Sequence, residues 1–309
     1  MTSTVDKTRF GYRVKRDFRE NWAIYLMLLP VIAWFFVFHY MPMGGVVMAF
    51  EKYKFSKGLL GSPWVGFQNF TDFFGSYYFW RLLRNTLLLS IEDLIFSFPA
   101  SIIFALLLNE VRNRFFKKSV QTISYLPYFI SMVVVCGLVK TFTEAGGAIS
   151  LISEALGGPS ELISNPSCFR PIVICSNIWQ NLGYGSIIYI SALSSIDQEL
   201  YEAAKIDGAG RWKQTIHVTL PGIMSTIMIM LIMRMGQLMT VNYQKIILLY
   251  SPATYETADV ISTFVYRKGL MENDYSYAAA VDLFNSVINT AILCTANWLS
   301  RKYAETSLF

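Results

Sequence analysis

Apolar residues along this chain gather into runs of membrane length, and polar residues collect in the stretches between them. The first run starts at Trp22 and continues to about Phe50, and five more follow at about 85–108, 120–141, 171–191, 221–240 and 280–299. At about 1.5 Å of rise per residue, roughly twenty helical residues cross the ~30 Å hydrocarbon core of a bilayer. The pattern predicts an all-α integral membrane protein of about six transmembrane helices. Pro30 and Pro42 are placed to kink the first helix or to mark its outer end. Residues 1–21 read as a basic arm, 22–300 as a single membrane domain and 301–309 as a short tail. No repeat or low-complexity linker divides the chain.

Composition agrees with this reading: 54% of the 309 residues are hydrophobic and 15% are charged, against roughly 25% charged in soluble domains. The net charge of +5 is spread over short loops instead of gathered on one face, so nucleic-acid binding is not indicated. Segments 1–21, 109–119, 194–220 and 300–309 hold 15 Lys and Arg, whereas 51–80, 142–170 and 241–280 hold 7. By the positive-inside rule both termini and the 195–221 loop are cytoplasmic, which places the protein in a plasma membrane as a multi-pass chain. Cys136, Cys168, Cys175 and Cys294 have no paired spacing, so neither a disulfide framework nor a zinc site is predicted. The first run is too long for the core of a removable signal peptide, and the first helix is expected to stay.

The loop from Ser195 to Pro221 is the most informative stretch. Ser195 with Gln198 fits a capping box, which predicts a helix from near Ile196 with Leu200, Ala203 and Ala204 on one face. Asp207-Gly208-Ala209-Gly210 then supplies the positive backbone angles of a tight reversal. A second short helix follows from Arg211 to about Val218, and Pro221 falls in the first turn of the fifth span. By pattern alone this is an amphipathic helix at the membrane surface.

The residue identities go further. Glu202-Ala203-Ala204, Gly208, Val218, Leu220 and Pro221 resemble the EAA loop of ABC-importer permeases, with Val218 where that family usually has isoleucine. Trp64-Val65-Gly66-Phe67-Gln68-Asn69-Phe70, Asn85-Thr86, Leu107-Leu108-Asn109-Glu110 and Leu200 to Ala209 are similar to the carbohydrate-uptake branch, as permeases for a sugar or oligosaccharide. The resemblance implies that Glu202, Ala203, Ala204 and Gly208 form a coupling helix and its turn, braced by Val218, Leu220 and Pro221. It also implies a second permease subunit, two ATPase subunits that use ATP and Mg, and an extracellular solute-binding protein in a bacterial cell membrane. The chain has no Gly-x-x-x-x-Gly-Lys-Ser/Thr phosphate loop, so it is expected to bind no cofactor itself.

Glu92, Asp93, Arg234 and Asp282 fall within the apolar runs. Each is costly against lipid, so some are expected to pair or to line water. Glu92 with Arg234 is the leading pair, and Asp93 the alternative partner. Trp179, Asn181, Tyr184, Tyr189, Asn242, Tyr243, Gln244, Asn285 and Asn289 supply amides, phenols and an indole suited to sugar hydroxyls and apolar sugar faces. Helix packing by the same side chains remains an equal reading. The tyrosine-rich segment 241–279 reads either as a solvated loop or as a docking site for a delivery protein. A membrane-embedded enzyme is poorly supported, since His39 and His217 lie in different segments and no His-Glu-x-x-His is present. Import of an amino acid, peptide or polyol, and a sensor without transport, remain the alternatives.

Overall fold

The computed structural model describes residues 10–303; residues 1–9 of the basic arm and 304–309 of the tail lie outside them. Among the described residues all regular structure is helical apart from one bridge between Glu51 and Trp64. Helix α1 (Phe10–Glu20) leads into α2 (Trp22–Phe50). Pro30 sits inside α2, and a π-helical turn at Phe36–Tyr40 precedes Pro42. A proline offers no N–H to the turn behind it, and the widened turn absorbs that missing bond without ending the helix.

Among the described residues, four helices are long and apolar enough to cross a membrane: Trp22–Phe50, Phe79–Glu110, Met132–Ala155 and Tyr275–Lys302. The pair Arg211–Gly222 and Met224–Met235, bent by 60°, makes a fifth if it is one span. The region expected as the fourth span is the 29-residue helix Pro166–Ser194, about 43 Å long at the usual rise. Its polar side, which carries Asn177, Gln180 and Asn181, leaves its membrane-length stretch less apolar than those of the other four.

After α3 (Gln68–Phe74) comes α4 (Phe79–Glu110), which starts ahead of the expected Asn85. The predicted third span is divided. Asn113 caps the amphipathic helix α5 (Arg114–Tyr125) by accepting from the Phe115 and Phe116 amides at 3.0 and 3.1 Å. The chain breaks at Leu126–Phe129, where Pro127 sits, and Ser131 caps α6 (Met132–Thr143). Helix α7 (Ala148–Ala155) follows Gly146, whose φ is +78°.

Helix α8 (Pro166–Ser194) lies along α4. Eight of its nine buried residues, Phe169, Val173, Ser176, Gln180, Gly183, Ser186, Tyr189 and Leu193, recur every three or four positions, the spacing of one helix face, with Ile174 beside them. A Cβ at Gly183 would overlap the Ser124 carbonyl of α5, and one at Gly185 would stand 2.8 Å from Ser101 Oγ of α4. The missing side chains let both neighbours approach. Helices α9 (Gln198–Ile206), α10 (Arg211–Gly222) and α11 (Met224–Met235) follow. Within α10 a second π turn, Thr215–Thr219, again precedes a proline, Pro221.

Of the tyrosine-rich segment 241–279, residues 241–274 are not a solvated loop. They fold into the body as α12 (Tyr243–Leu249), α13 (Tyr255–Ala258) and α14 (Ile261–Tyr266), before α15 (Tyr275–Tyr303). Ile246, Leu249, Ala258, Val260, Ile261 and Phe264 are buried there. The segment is held by Asp259, fully buried, which accepts from Arg81 (3.3 Å), Arg267 (2.8 Å) and Thr263 (2.9 Å). Asn85 donates to the carbonyls of Glu256 (2.8 Å) and Asp259 (3.0 Å) and accepts from Arg170 (3.0 Å). In the first outer stretch, Asn69 donates to the carbonyls of Ala49 (2.9 Å) and Glu51 (3.1 Å), a structural use of the one asparagine in a sequon-like tripeptide there.

Removing one member of a buried charge cluster costs about 3–5 kcal/mol because the others are left uncompensated. Asp259→Ala is therefore expected to lower the thermal unfolding midpoint and membrane yield sharply. Asp72→Ala on the exposed side of α3 should stay within about 0.5 kcal/mol of the parent. Equal behaviour of the two variants would contradict the central role of Asp259.

Candidate functional site

A cavity of about 730 Å³ opens between α4, α8, the C-terminal half of α11 and the stretch 237–244. Two polar rows line it. Ser90, Asp93, Ser97 and Ser101 come from α4 at spacings of three and four, and Asn177, Asn181, Gly185 and Tyr189 from α8 at spacings of four. Residues so spaced share one helix face. Gln237, Thr240, Asn242, Tyr243 and Gln244 form the remaining wall, and Met230, Met233 and Arg234 enter from α11.

A hydrogen-bonded network ties these elements together. Asp93 accepts from Ser97 Oγ at 2.7 Å, from Asn177 Nδ2 at 3.0 Å and from the Arg234 guanidinium. Asn177 Oδ1 in turn accepts from Lys245 Nζ at 2.7 Å, and Lys245, fully buried, also donates to Ser176 Oγ at 3.3 Å. Burial of these charges is tolerable only because their hydrogen-bonding capacity is met internally. Arg234 thus pairs with the alternative partner Asp93, and the expected Glu92–Arg234 pair does not form. Glu92 points to α8, where its carboxylate lies 3.7 Å from Arg170. The two carboxylates are adjacent on a helix and therefore face directions about 100° apart, so a single arginine does not serve both. Asp282 stands exposed on α15, and no ion pair among the described residues includes it.

Of the nine candidate path residues, five line the cavity: Asn181, Tyr189, Asn242, Tyr243 and Gln244. Four do not. Trp179 is exposed on another side of α8, and Tyr184 stacks on Tyr128 with ring centroids 3.8 Å apart. Asn285 and Asn289 work inside the fold. Asn285 donates to the Met239 carbonyl at 3.3 Å, while Asn289 accepts from the Met239 amide at 3.1 Å and donates to the Gly236 carbonyl. They satisfy backbone groups freed where α11 ends, as buried polar atoms must be. The residues missed were Asn177, Lys245, Gln237 and the serine row of α4. The serine row and Asn177 had a signal in sequence, polar residues at helical spacing within apolar runs. Lys245 had none, because its segment reads as an outer loop.

The loop between α8 and α10 is built around three fixed points. Asp197, not Ser195, caps α9 by accepting from the Glu199 amide at 3.0 Å. Ser195 instead closes α8, its hydroxyl donating to the Ala192 carbonyl at 2.8 Å. At the other end Gly208 has φ +76°, with Gly208 N–H bonded to Lys205 O (3.0 Å) and Ala209 N–H to Ala204 O (2.8 Å). This pair of bonds is a Schellman closure, which uses glycine for its left-handed position. The third point is Tyr201, whose hydroxyl donates to Thr219 Oγ1 at 3.1 Å.

The loop's inner side packs into the membrane helices and its outer side does not. Ile196 and Ile223 are buried with Ile102, Ala105, Tyr189 and Leu193, and Tyr201 and Val218 pack against that cluster. Gly222 leaves the room that Ile196 occupies, since a Cβ there would lie 2.9 Å from Ile196 Cδ1. Outside, Glu202, Ala203 and Gly208 are exposed, and Leu200, Ile206 and Trp212 are 54%, 87% and 76% exposed. Apolar surface of this kind on a rigid, capped turn is the usual mark of a contact site. Pro221 and Leu220 join the loop through α10 to α11, and so to the Arg234 wall of the cavity.

The profile of the family described as "Binding-protein-dependent transport system inner membrane component" matches residues 97–304. Protein LplB of Bacillus subtilis (strain 168) is 41% identical over 293 residues, which cover 94% of this chain and 92% of the relative. The polygalacturonan/rhamnogalacturonan transport system permease protein YteP of the same organism is 40% identical over 288 residues, 93% and 90% of the two chains. Among solved structures, a chain of a bacterial ABC transporter involved in import of the acidic polysaccharide alginate superposes with a TM-score of 0.87 at 44% identity, covering 94% of this chain and 99% of that one. A chain of the bacterial alginate ABC transporter in complex with an alginate pentasaccharide-bound periplasmic protein gives 0.88 at 44%, covering 96% and 100%. With its helical fold, its apolar spans and a family match over most of its length, this chain belongs to the inner-membrane components of binding-protein-dependent transport systems.

Proposed function

We propose that this chain is a permease subunit of an ABC importer and forms part of the translocation path for a sugar or oligosaccharide. The observation that carries the reading is the continuity between the exposed, rigid α9 turn and the cavity wall through Pro221 and α11. A displacement applied at the turn passes along packed helices to Arg234 and its neighbours, as expected of a coupling element. The cavity lining of hydroxyls and amides suits sugar hydroxyls, which both donate and accept. Relatives named for transport of polygalacturonan or rhamnogalacturonan and of alginate support the same class.

In this reading Glu202, Ala203, Ala204, Gly208, Val218, Leu220 and Pro221 transmit motion and carry out no chemistry. ATP and Mg belong to two ATPase subunits seated on the exposed face of α9, and no cofactor is assigned to this chain. A second permease closes the open side of the cavity, and an extracellular binding protein, of the kind named in the alginate complex, delivers the sugar. Both termini and α9 face the cytoplasm.

Two outcomes test this. A β-branched residue in the left-handed region costs about 1–2 kcal/mol, so Gly208→Val should cut coupled uptake by about tenfold. No atom lies within 4 Å of the Cβ position at Gly208, so insertion and assembly should survive. Gly208→Asn, which tolerates the same backbone angle, should recover most of the uptake. Normal uptake by the valine variant would sink the coupling assignment. For topology, in a background without the four native cysteines, Ile206→Cys should react with an impermeant maleimide only from the cytoplasmic side. Tyr77→Cys, equally exposed, should react only from outside. The reverse pattern would overturn the orientation.

A further inference from the structure

Two cations and one anion meet at the cavity wall, Asp93 and Arg234 in its lining and Lys245 buried behind it. Asp93 is the one carboxylate among the described residues that line the cavity. Both of its oxygens are engaged, by Ser97, Asn177 and Arg234. Lys245 reaches Asp93 only through Asn177, and no ion pair among the described residues includes Lys245. The network therefore carries one positive charge more than it balances, in a setting where unbalanced charge is costly.

The geometry shows where that charge is offered. Asp93 is buried behind Arg234, their side chains being 9% and 45% exposed. One terminal nitrogen of the guanidinium, Nη2, is taken by the carboxylate at its back. A guanidinium has five donors in a planar fork, and its free edge matches a carboxylate in two parallel bonds. Asp93 itself, with three donors already on it, has little capacity left to accept from a sugar hydroxyl. The wall is thus arranged to donate to an anion and not to capture a cation.

We infer that Arg234 binds a carboxylate of the passing sugar, so that the cargo contains acidic, uronate-type units. Asp93 is the positioning residue that holds the fork toward the cavity, and Lys245 supplies the excess charge that the cargo's carboxylate balances. The inference rests on the import reading above, agrees with the acidic polysaccharide named for the alginate transporter, and adds the residue of this chain that reads the cargo.

The test uses the complete transporter in lipid nanodiscs, without its binding protein, so that the cavity alone is probed. Trigalacturonate and its fully methyl-esterified counterpart are titrated separately, with binding followed by saturation-transfer NMR. The wild type is expected to bind the acid at least about tenfold more tightly than the ester, the size of one charge-assisted hydrogen bond, and to lose that margin as salt is raised. Arg234→Gln should weaken acid binding roughly ten- to a hundredfold and leave ester binding where it was, while Arg234→Lys should retain part of the preference. The wild-type comparison of acid and ester needs no variant, so a folding defect in Arg234→Gln does not remove the test. Equal affinity for acid and ester, or undiminished acid preference in Arg234→Gln, overturns the carboxylate assignment and leaves the import reading standing. Binding of neither sugar likewise overturns the carboxylate assignment, while the import reading is tested separately by Gly208→Val.

Discussion

Helices α4 and α8 lie along each other because glycines stand where their neighbours come closest, and most of what this protein offers to a ligand is arranged by that contact. Gly185 lets Ser101 of α4 approach, and Gly183 does the same for Ser124 of α5. With the two long helices in register, the serine row of α4 and the Asn177 to Tyr189 row of α8 both face one cavity. The same register places Asp93 beside Asn177 and Glu92 near Arg170. A larger residue at Gly185 would part these pairs, since close helix approach depends on small residues at the contact.

Charge is handled in two separate compartments. Around Asp259, two arginines and a threonine saturate one fully buried carboxylate, and the cluster fastens the folded-back segment to α4. Around Asp93 the arrangement is looser at one edge, because Arg234 remains half exposed to the cavity. A closed cluster contributes rigidity; an open one leaves a donor group available. Both meet the requirement that charge removed from water find partners, and the difference between them marks which is structural.

Two of the three π turns among the described residues, Phe36–Tyr40 and Thr215–Thr219, stand just before a proline, where the ordinary bonding ladder is already interrupted. Such points are where helices bend. The second lies between the exposed α9 turn and α11, and the 60° bend at Ile223 follows at once. Packing of Ile196 against Gly222 and the Tyr201–Thr219 bond brace this joint from the side. The loop is therefore attached to the cavity wall through a bend that is laterally supported, which lets a push on one end emerge at the other.

Local chemistry is what the sequence by itself determined. The Gly208 reversal, the polar loop before Pro221 and most of the membrane-length apolar runs follow from short-range rules of backbone angle, proline geometry and hydropathy and are found, while the 120–141 run is divided and the 171–191 run lies in a more polar helix. The residue match of that loop to a permease family likewise needed no coordinates. Where a boundary was displaced, a nearby residue with a competing role explains it: Asp197 took the cap because Ser195 closes α8, and Pro127 with Ser131 moved the third membrane segment to Met132. Tertiary structure alone decided which polar side chains face one another. Asn181 and Tyr184 are three residues apart and chemically alike as candidates, yet one lines the cavity and the other stacks on Tyr128. Asn285 and Asn289 were drawn to the broken end of α11, and segment 241–274 was drawn inward by Asp259. A hydropathy pattern records how polar each position is, but the direction a polar group faces depends on which helix packs beside it.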